Sequence, residues 1–156
     1  MPSLEGKKAP AVKLPASDGT TVDLKNFAGK KNIVLYFYPK DDTPGCTVEA
    51  CNFRDRSEDI LKENAVVFGV SPDSVAKHKK FIEKYKLPFL LLSDEEKNVL
   101  QKFGVWVEKS MYGRTYMGVQ RSTFIIDKTG RVAKQFDNVK PKDHHTEVLA
   151  ALKNLS

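Results

Sequence analysis

The chain has 156 residues, with 40% hydrophobic and 29% charged side chains, which is the size and composition of one globular domain. A chain this long buries close to ~70% of its unfolded surface, so a core can hold it together without staples. The longest apolar runs, Ile33–Tyr38 and Ala65–Val70, are six residues each, far below the roughly 18 of a membrane span. The net charge is +6, and residues 79–156 hold the whole surplus. Their lysines are scattered singly among Glu83, Glu95, Glu96 and Glu108, without a basic run or a nucleic-acid motif. A solvated basic face is therefore expected, without nucleic-acid or membrane partners. Charges and prolines in Met1–Pro10 replace the apolar stretch of a secretory signal, so a cytoplasmic protein is expected.

Taken in chain order, Val12–Leu14 and Thr21–Leu24 flank the turn residues Ser17–Thr20 and predict a hairpin. Asn32–Tyr38, β-branched and aromatic, predicts a central strand covered on both faces. A helix is expected from Thr43, in N-cap position, and Pro44, in the first turn, to Asn64. Ala65–Val70 predicts a second buried strand, Ser74–Tyr85 a helix, Phe89–Leu92 a short strand, and Asp94–Phe103 a helix ended by Gly104. Ser122–Asp127 and Arg131–Phe136 flank Lys128-Thr129-Gly130 as a second hairpin, and Asp143–Leu155 closes the chain as a helix. Buried strands alternating with helices predict an α/β fold, a mixed central sheet with helices on both faces, compatible with the thioredoxin fold.

The two cysteines, Cys46 and Cys51, form neither a CxxC motif nor a usual zinc spacing. Cys46 falls in the first turn of its helix, where open backbone N–H groups and the helix dipole favour an anion such as a thiolate. The plainer reading is a small buried hydrophobe. Of the five arginines, Arg121 sits at the mouth of the Ser122–Asp127 strand, where strand ends and a helix start converge. On an ideal helix, residues five apart have Cα atoms roughly 8.6 Å apart, beyond the ~4.4–6.8 Å of a disulfide. Either the two sulfurs never bond, or the first helical turns unwind to let them.

The segment Pro39-Lys40-Asp41-Asp42-Thr43-Pro44-Gly45-Cys46-Thr47-Val48-Glu49-Ala50-Cys51 resembles the active-site segment of the peroxiredoxins, specifically the bacterioferritin-comigratory-protein or peroxiredoxin Q subfamily. Gly104-Val105-Trp106, Glu108–Gly113 and Arg121–Asp127 are similar to further subfamily segments, and the likeness runs from Gly6–Pro10 to the final helix. It implies a single thioredoxin-like peroxiredoxin domain over residues 1–156. The implied activity is reduction of hydrogen peroxide and organic hydroperoxides to water and alcohols.

In that scheme Cys46 is the peroxidatic nucleophile, and Cys51 resolves its sulfenic acid as an intramolecular disulfide. Arg121, Thr43 and the N–H groups near Gly45 bind substrate and developing charge, and Pro39 shields the sulfur. The implied reductant is thioredoxin or a glutaredoxin-like dithiol, with no haem, flavin or metal required. Internal resolution implies a monomer, with a weak dimer as the alternative. A thiol–disulfide reductase or redox sensor without peroxidase turnover is the competing reading, opposed by the Thr43-Pro44-Gly45-Cys46 context; a nucleic-acid or acidic-partner binding module is a more distant one. His78 is expected to pack, His144 and His145 to serve as cap or surface residues, and Trp106, Tyr112 and Tyr116 to pack more readily than line a site.

Overall fold

The computed structural model describes residues 3–155. The first hairpin pairs β1 (Lys13–Pro15) with β2 (Thr21–Asp23), and a 3₁₀ turn, Leu24–Phe27, follows. Next come β3 (Asn32–Phe37), α1 (Pro44–Asp55), α2 (Ser57–Lys62), β4 (Ala65–Ser71), α3 (Val75–Tyr85), β5 (Leu90–Ser93) and α4 (Asn98–Lys102). The chain continues through β6 (Trp106–Met111), β7 (Arg114–Val119), β8 (Ser122–Ile126), β9 (Val132–Phe136) and α5 (His144–Lys153). The main sheet has the order β5-β4-β3-β8-β9. β3 runs parallel to β4, and β4 to β5, whereas β8 is antiparallel to both β3 and β9.

Every residue of β3 is buried because the sheet is covered on both faces, as its unbroken apolar run requires. Ile33, Leu35 and Phe37 point into one core with Phe68, Val70, Phe103 and Phe124, closed by the first hairpin and α4. Val34, Tyr36 and Tyr38 point into the other, with Phe53, Ile60, Phe81, Ile125 and Val148 from α1, α2, α3, β8 and α5. Aromatic pairs fill both: Phe37 and Phe103 have ring centroids 5.1 Å apart, and Tyr36 and Phe53 4.9 Å. One register matters for function. Phe37 at the end of β3 pairs with Ser122 at the start of β8, so Arg121 lies beside the loop that leads into α1.

Three expectations need correction, and one hairpin was not foreseen. The single helix to Asn64 is broken at Arg56, with φ −110° and ψ 12°, and restarts at Ser57 with Glu58 and Asp59 favouring a new N-terminus. The stretch 106–119, for which no element was predicted, is the β6–β7 hairpin. Its strands are largely exposed and carry no buried alternation, and its turn is Tyr112-Gly113, both at positive φ, where Asn-Gly is the usual signal. His144 is neither cap nor surface: it is 2% exposed and packs edge-on against Phe53 and Phe136. Tyr112, at the hairpin tip, is exposed instead of packed.

Candidate active site

β3 ends at Phe37, and the loop Tyr38–Thr43 delivers the chain to α1 at the carboxyl ends of the parallel strands, the usual place for a site in such sheets. Pro44 begins α1, where a missing N–H costs nothing. Thr43 is the N-cap by position, but its hydroxyl caps no helical N–H. It donates instead to the carbonyl of Lys40 at 2.9 Å, tightening the loop. Pro39 is half-buried at the loop's start.

Cys46, Glu49, Ala50 and Phe53 form the buried stripe of α1, at helical spacing. Cys46 is buried and carries a free thiol; Cys51, also free, is half-buried on the same helix. Arg121 Nη2 lies 3.3 Å from Cys46 Sγ, and Nη1 donates to Glu49 Oε1 at 2.7 Å. One guanidinium thus bridges the sulfur and a buried carboxylate. Burial opposes the charge on Arg121, but Glu49 and Cys46 outweigh it and raise its pKa above the ordinary value. A Cβ on Gly45 would stand 3.2 Å from Arg121 Nη2, so glycine gives the guanidinium its room.

Glu49 and Lys109 were missed as site residues. Glu49 is 1% exposed, and burial pushes its pKa up to about 7 even with Arg121 against it; its Oε2 has no hydrogen-bond partner among the described residues. A glutamate three residues after Cys46, on an apolar stripe, was the available signal. Lys109, on β6, was hidden by the unrecognised hairpin. It lies within electrostatic reach of Arg121 and Cys46; burial, then Arg121, lower its pKa, and Cys46 acts the other way. The structure therefore brings Cys46, Gly45, Arg121 and Glu49 together, with Lys109 nearby. Trp106 packs partly against the core under Lys97 Nζ, 5.7 Å from its ring.

Comparison with known proteins agrees with this arrangement. The AhpC/TSA family profile matches residues 5–135. Peroxiredoxin Bcp of Bacillus subtilis is 54% identical over 151 residues, covering 97% of this chain and 96% of that protein. The structure of Xanthomonas campestris Peroxiredoxin Q superposes with a TM-score of 0.87 at 41% identity, over 92% of this chain and 90% of that one. A structure of the bacterioferritin comigratory protein of the same organism, described for its alkyl peroxide reduction activity, gives 0.88 at 40% identity, over 92% and 91%. The chain belongs to the AhpC/TSA family, as a peroxiredoxin of the Bcp and Peroxiredoxin Q kind. It is accordingly a thiol peroxidase with the thioredoxin fold. No helix among the described residues is long and apolar enough to cross a membrane.

Proposed function

We propose that this chain, working as one domain in a reducing cytoplasm, reduces hydrogen peroxide and organic hydroperoxides through Cys46. The observation that carries the assignment is the Arg121 guanidinium 3.3 Å from a free sulfur in the first turn of a helix. An anionic sulfur there meets a fixed cation and open N–H groups. The thiolate attacks one peroxide oxygen, the oxygen–oxygen bond breaks, and the leaving oxygen departs as hydroxide or alkoxide and takes a proton from solvent. Cys46 becomes a sulfenic acid. Arg121 stands where negative charge develops and is already oriented by Glu49, so little reorganisation is needed. Thr43 spends its proton on Lys40, which leaves its oxygen free to accept the peroxide O–H. Alkyl peroxide reduction by the Xanthomonas relative supports organic hydroperoxides as substrates.

Cys51 then attacks the sulfenic sulfur, releasing water and forming the Cys46–Cys51 disulfide. Both residues sit in α1, so the segment must unwind first. An external dithiol, thioredoxin or a glutaredoxin-like protein, reduces the disulfide by exchange. The test is intact mass and non-reducing mobility after one equivalent of hydrogen peroxide, alongside Cys46→Ser and Cys51→Ser. The expected result is loss of two hydrogens in a monomeric band, a trapped sulfenic acid in Cys51→Ser, and unconsumed peroxide with Cys46→Ser. Two intact thiols beside unconsumed peroxide in the parent overturn the proposal.

A further inference from the structure

A second polar cluster lies beneath the loop that carries Pro39 and Thr43. His78 Nδ1 is 2.6 Å from Asp41 Oδ2, and His78 Nε2 is 2.9 Å from the carbonyl oxygen of Leu92 on β5. The Tyr38 hydroxyl donates to Asp41 Oδ1 at 2.5 Å, and the Asp41 N–H donates to Asp73 Oδ2 at 2.7 Å. The His78 side chain is 0% exposed and that of Asp41 6%. Nε2–H donates to the Leu92 carbonyl, and a single shared proton joins Nδ1 to the Asp41 carboxyl, so both ring nitrogens are engaged. Asp42, held at φ +59°, accepts from Lys84 Nζ at 2.7 Å and from the Tyr85 hydroxyl at 2.8 Å. Two consecutive aspartates thus clip the loop to both ends of α3. The nitrogens of His78 and the oxygens of Asp41 are all engaged, which makes the cluster a clamp and not a cation site.

We propose that His78 is a positioning residue for peroxide reduction: through Asp41 it fixes the loop that sets Pro39 and Thr43 against Cys46. Deeply buried polar groups are expensive unless hydrogen-bonded, and an apolar contact could join α3 to the loop at least as firmly. A buried pair with directional bonds adds a single register. The same clamp gives the unwinding of α1 a fixed boundary: residues before Thr43 stay on α3 while residues after Pro44 leave the helix. At the other end, Arg54 Nη1 donates to the carbonyl of Tyr85 at 2.7 Å, so α3 holds both flanks of the segment that carries the cysteines.

The inference rests on Cys46 being the reacting sulfur, and the test separates the two. Rapid-quench mass spectrometry on reduced protein resolves sulfenic acid formation from the later disulfide step. Amide hydrogen exchange over residues 39–47 reports the clamp without any chemistry. Asp41→Ala is expected to slow sulfenic acid formation about tenfold, since a misplacement of ~1 Å in a site can cost up to about a hundredfold. It should leave the disulfide step as fast or faster, and raise exchange over 39–47. Asp41→Asn donates to a neutral His78 and keeps both ring bonds, so it should remain within about threefold of the parent rate. His78→Gln, which supplies only one of the two bonds, is the second variant and should resemble Asp41→Ala. Parent rates and parent exchange in Asp41→Ala and His78→Gln overturn the proposal, as does a lowered melting temperature with both rates intact. A parent that forms no sulfenic acid refutes the peroxidase reading instead, and the exchange data then judge the clamp alone.

Discussion

Arg121 does at one residue what no lysine could. Its two terminal nitrogens are separately committed, Nη1 to Glu49 and Nη2 to Cys46, and the planar fork fixes the angle between them. Arg121→Lys replaces the fork with a single ammonium that satisfies one partner at a time. Sulfenic acid formation should slow about a hundredfold, in line with the ~10²–10³ lost when a charge-stabilising donor is removed elsewhere. Gly45→Ala probes the same contact more gently. The new Cβ would press on Nη2 from 3.2 Å and push the guanidinium aside by a few tenths of an ångström. A loss of roughly threefold to tenfold in that step is expected. Alanine also strengthens a helix by about 1 kcal/mol relative to glycine, so the disulfide step should slow as well. Stopped-flow fluorescence of Trp106 or rapid-quench mass spectrometry follows both steps. Parent-like peroxide reaction in Arg121→Lys would remove the guanidinium from the mechanism.

At the scale of elements, α1 is in the proposed cycle both the platform for Cys46 and the obstacle to its disulfide. Besides packing, its middle is held by Asn52, whose Nδ2 donates to the carbonyls of Pro141 and Lys142 at 3.2 and 2.9 Å. Asn52 adjoins Cys51, so these bonds must break when Cys51 moves toward Cys46. Two half-exposed hydrogen bonds contribute about 1–2 kcal/mol together, which corresponds to roughly tenfold in the unwinding equilibrium. Asn52→Ala should therefore speed disulfide formation about tenfold while peroxide attack on Cys46 stays at the parent rate. An unchanged disulfide rate would show that unwinding begins elsewhere. The sequence made α1 legible because Thr43-Pro44 marks its start and the Cys46, Ala50 and Phe53 stripe its buried face. β3 and β4 were legible for a related reason, since strands buried on both faces need continuous apolar runs. The break at Arg56 left no proline or glycine behind, and β6–β7 is a largely exposed ribbon whose register comes from a Tyr-Gly turn. Among the candidate site residues, Cys46, Cys51 and Arg121 stood out because their types are rare in the chain. Glu49 did not, because a helical glutamate ordinarily faces solvent and only the tertiary position of Arg121 draws this one inward. The Asp41–His78 clamp was invisible for the same reason: its partners are 37 residues apart and meet only when α3 packs on the sheet.

Across the whole molecule, two buried titrations oppose each other. Glu49 has its pKa raised by burial to about 7 from an ordinary 4.5, so the folded state holds its proton longer than the unfolded chain does. Its contribution is fully present below about 4.5 and is lost as pH rises toward 7. His144 is the reverse. Burial, then His145 and Arg121, lower its pKa from 6.5 to about 4, and its Nε2 lies 2.7 Å from the Thr123 hydroxyl. Its contribution is present above about 6.5 and is lost as pH falls toward 4. Each shift corresponds to about 3 kcal/mol over its full window, at ~1.36 kcal/mol per pH unit. The windows overlap almost completely, so in the parent the two slopes largely cancel between pH 4.5 and 6.5. Chemical denaturation of the reduced protein at several pH values across this range tests the balance. Relative to the parent, Glu49→Gln should become more stable as pH rises, because only the His144 slope remains. His144→Gln should lose stability over the same rise, because only the Glu49 slope remains. The double variant should return to the parent's shallow profile. Single variants that parallel the parent would mean that neither group changes its protonation on folding. A balance of this kind would let a protein keep an ionisable carboxylate behind its reactive sulfur, where Arg121 needs it, without tying its overall stability to the acidity of its surroundings.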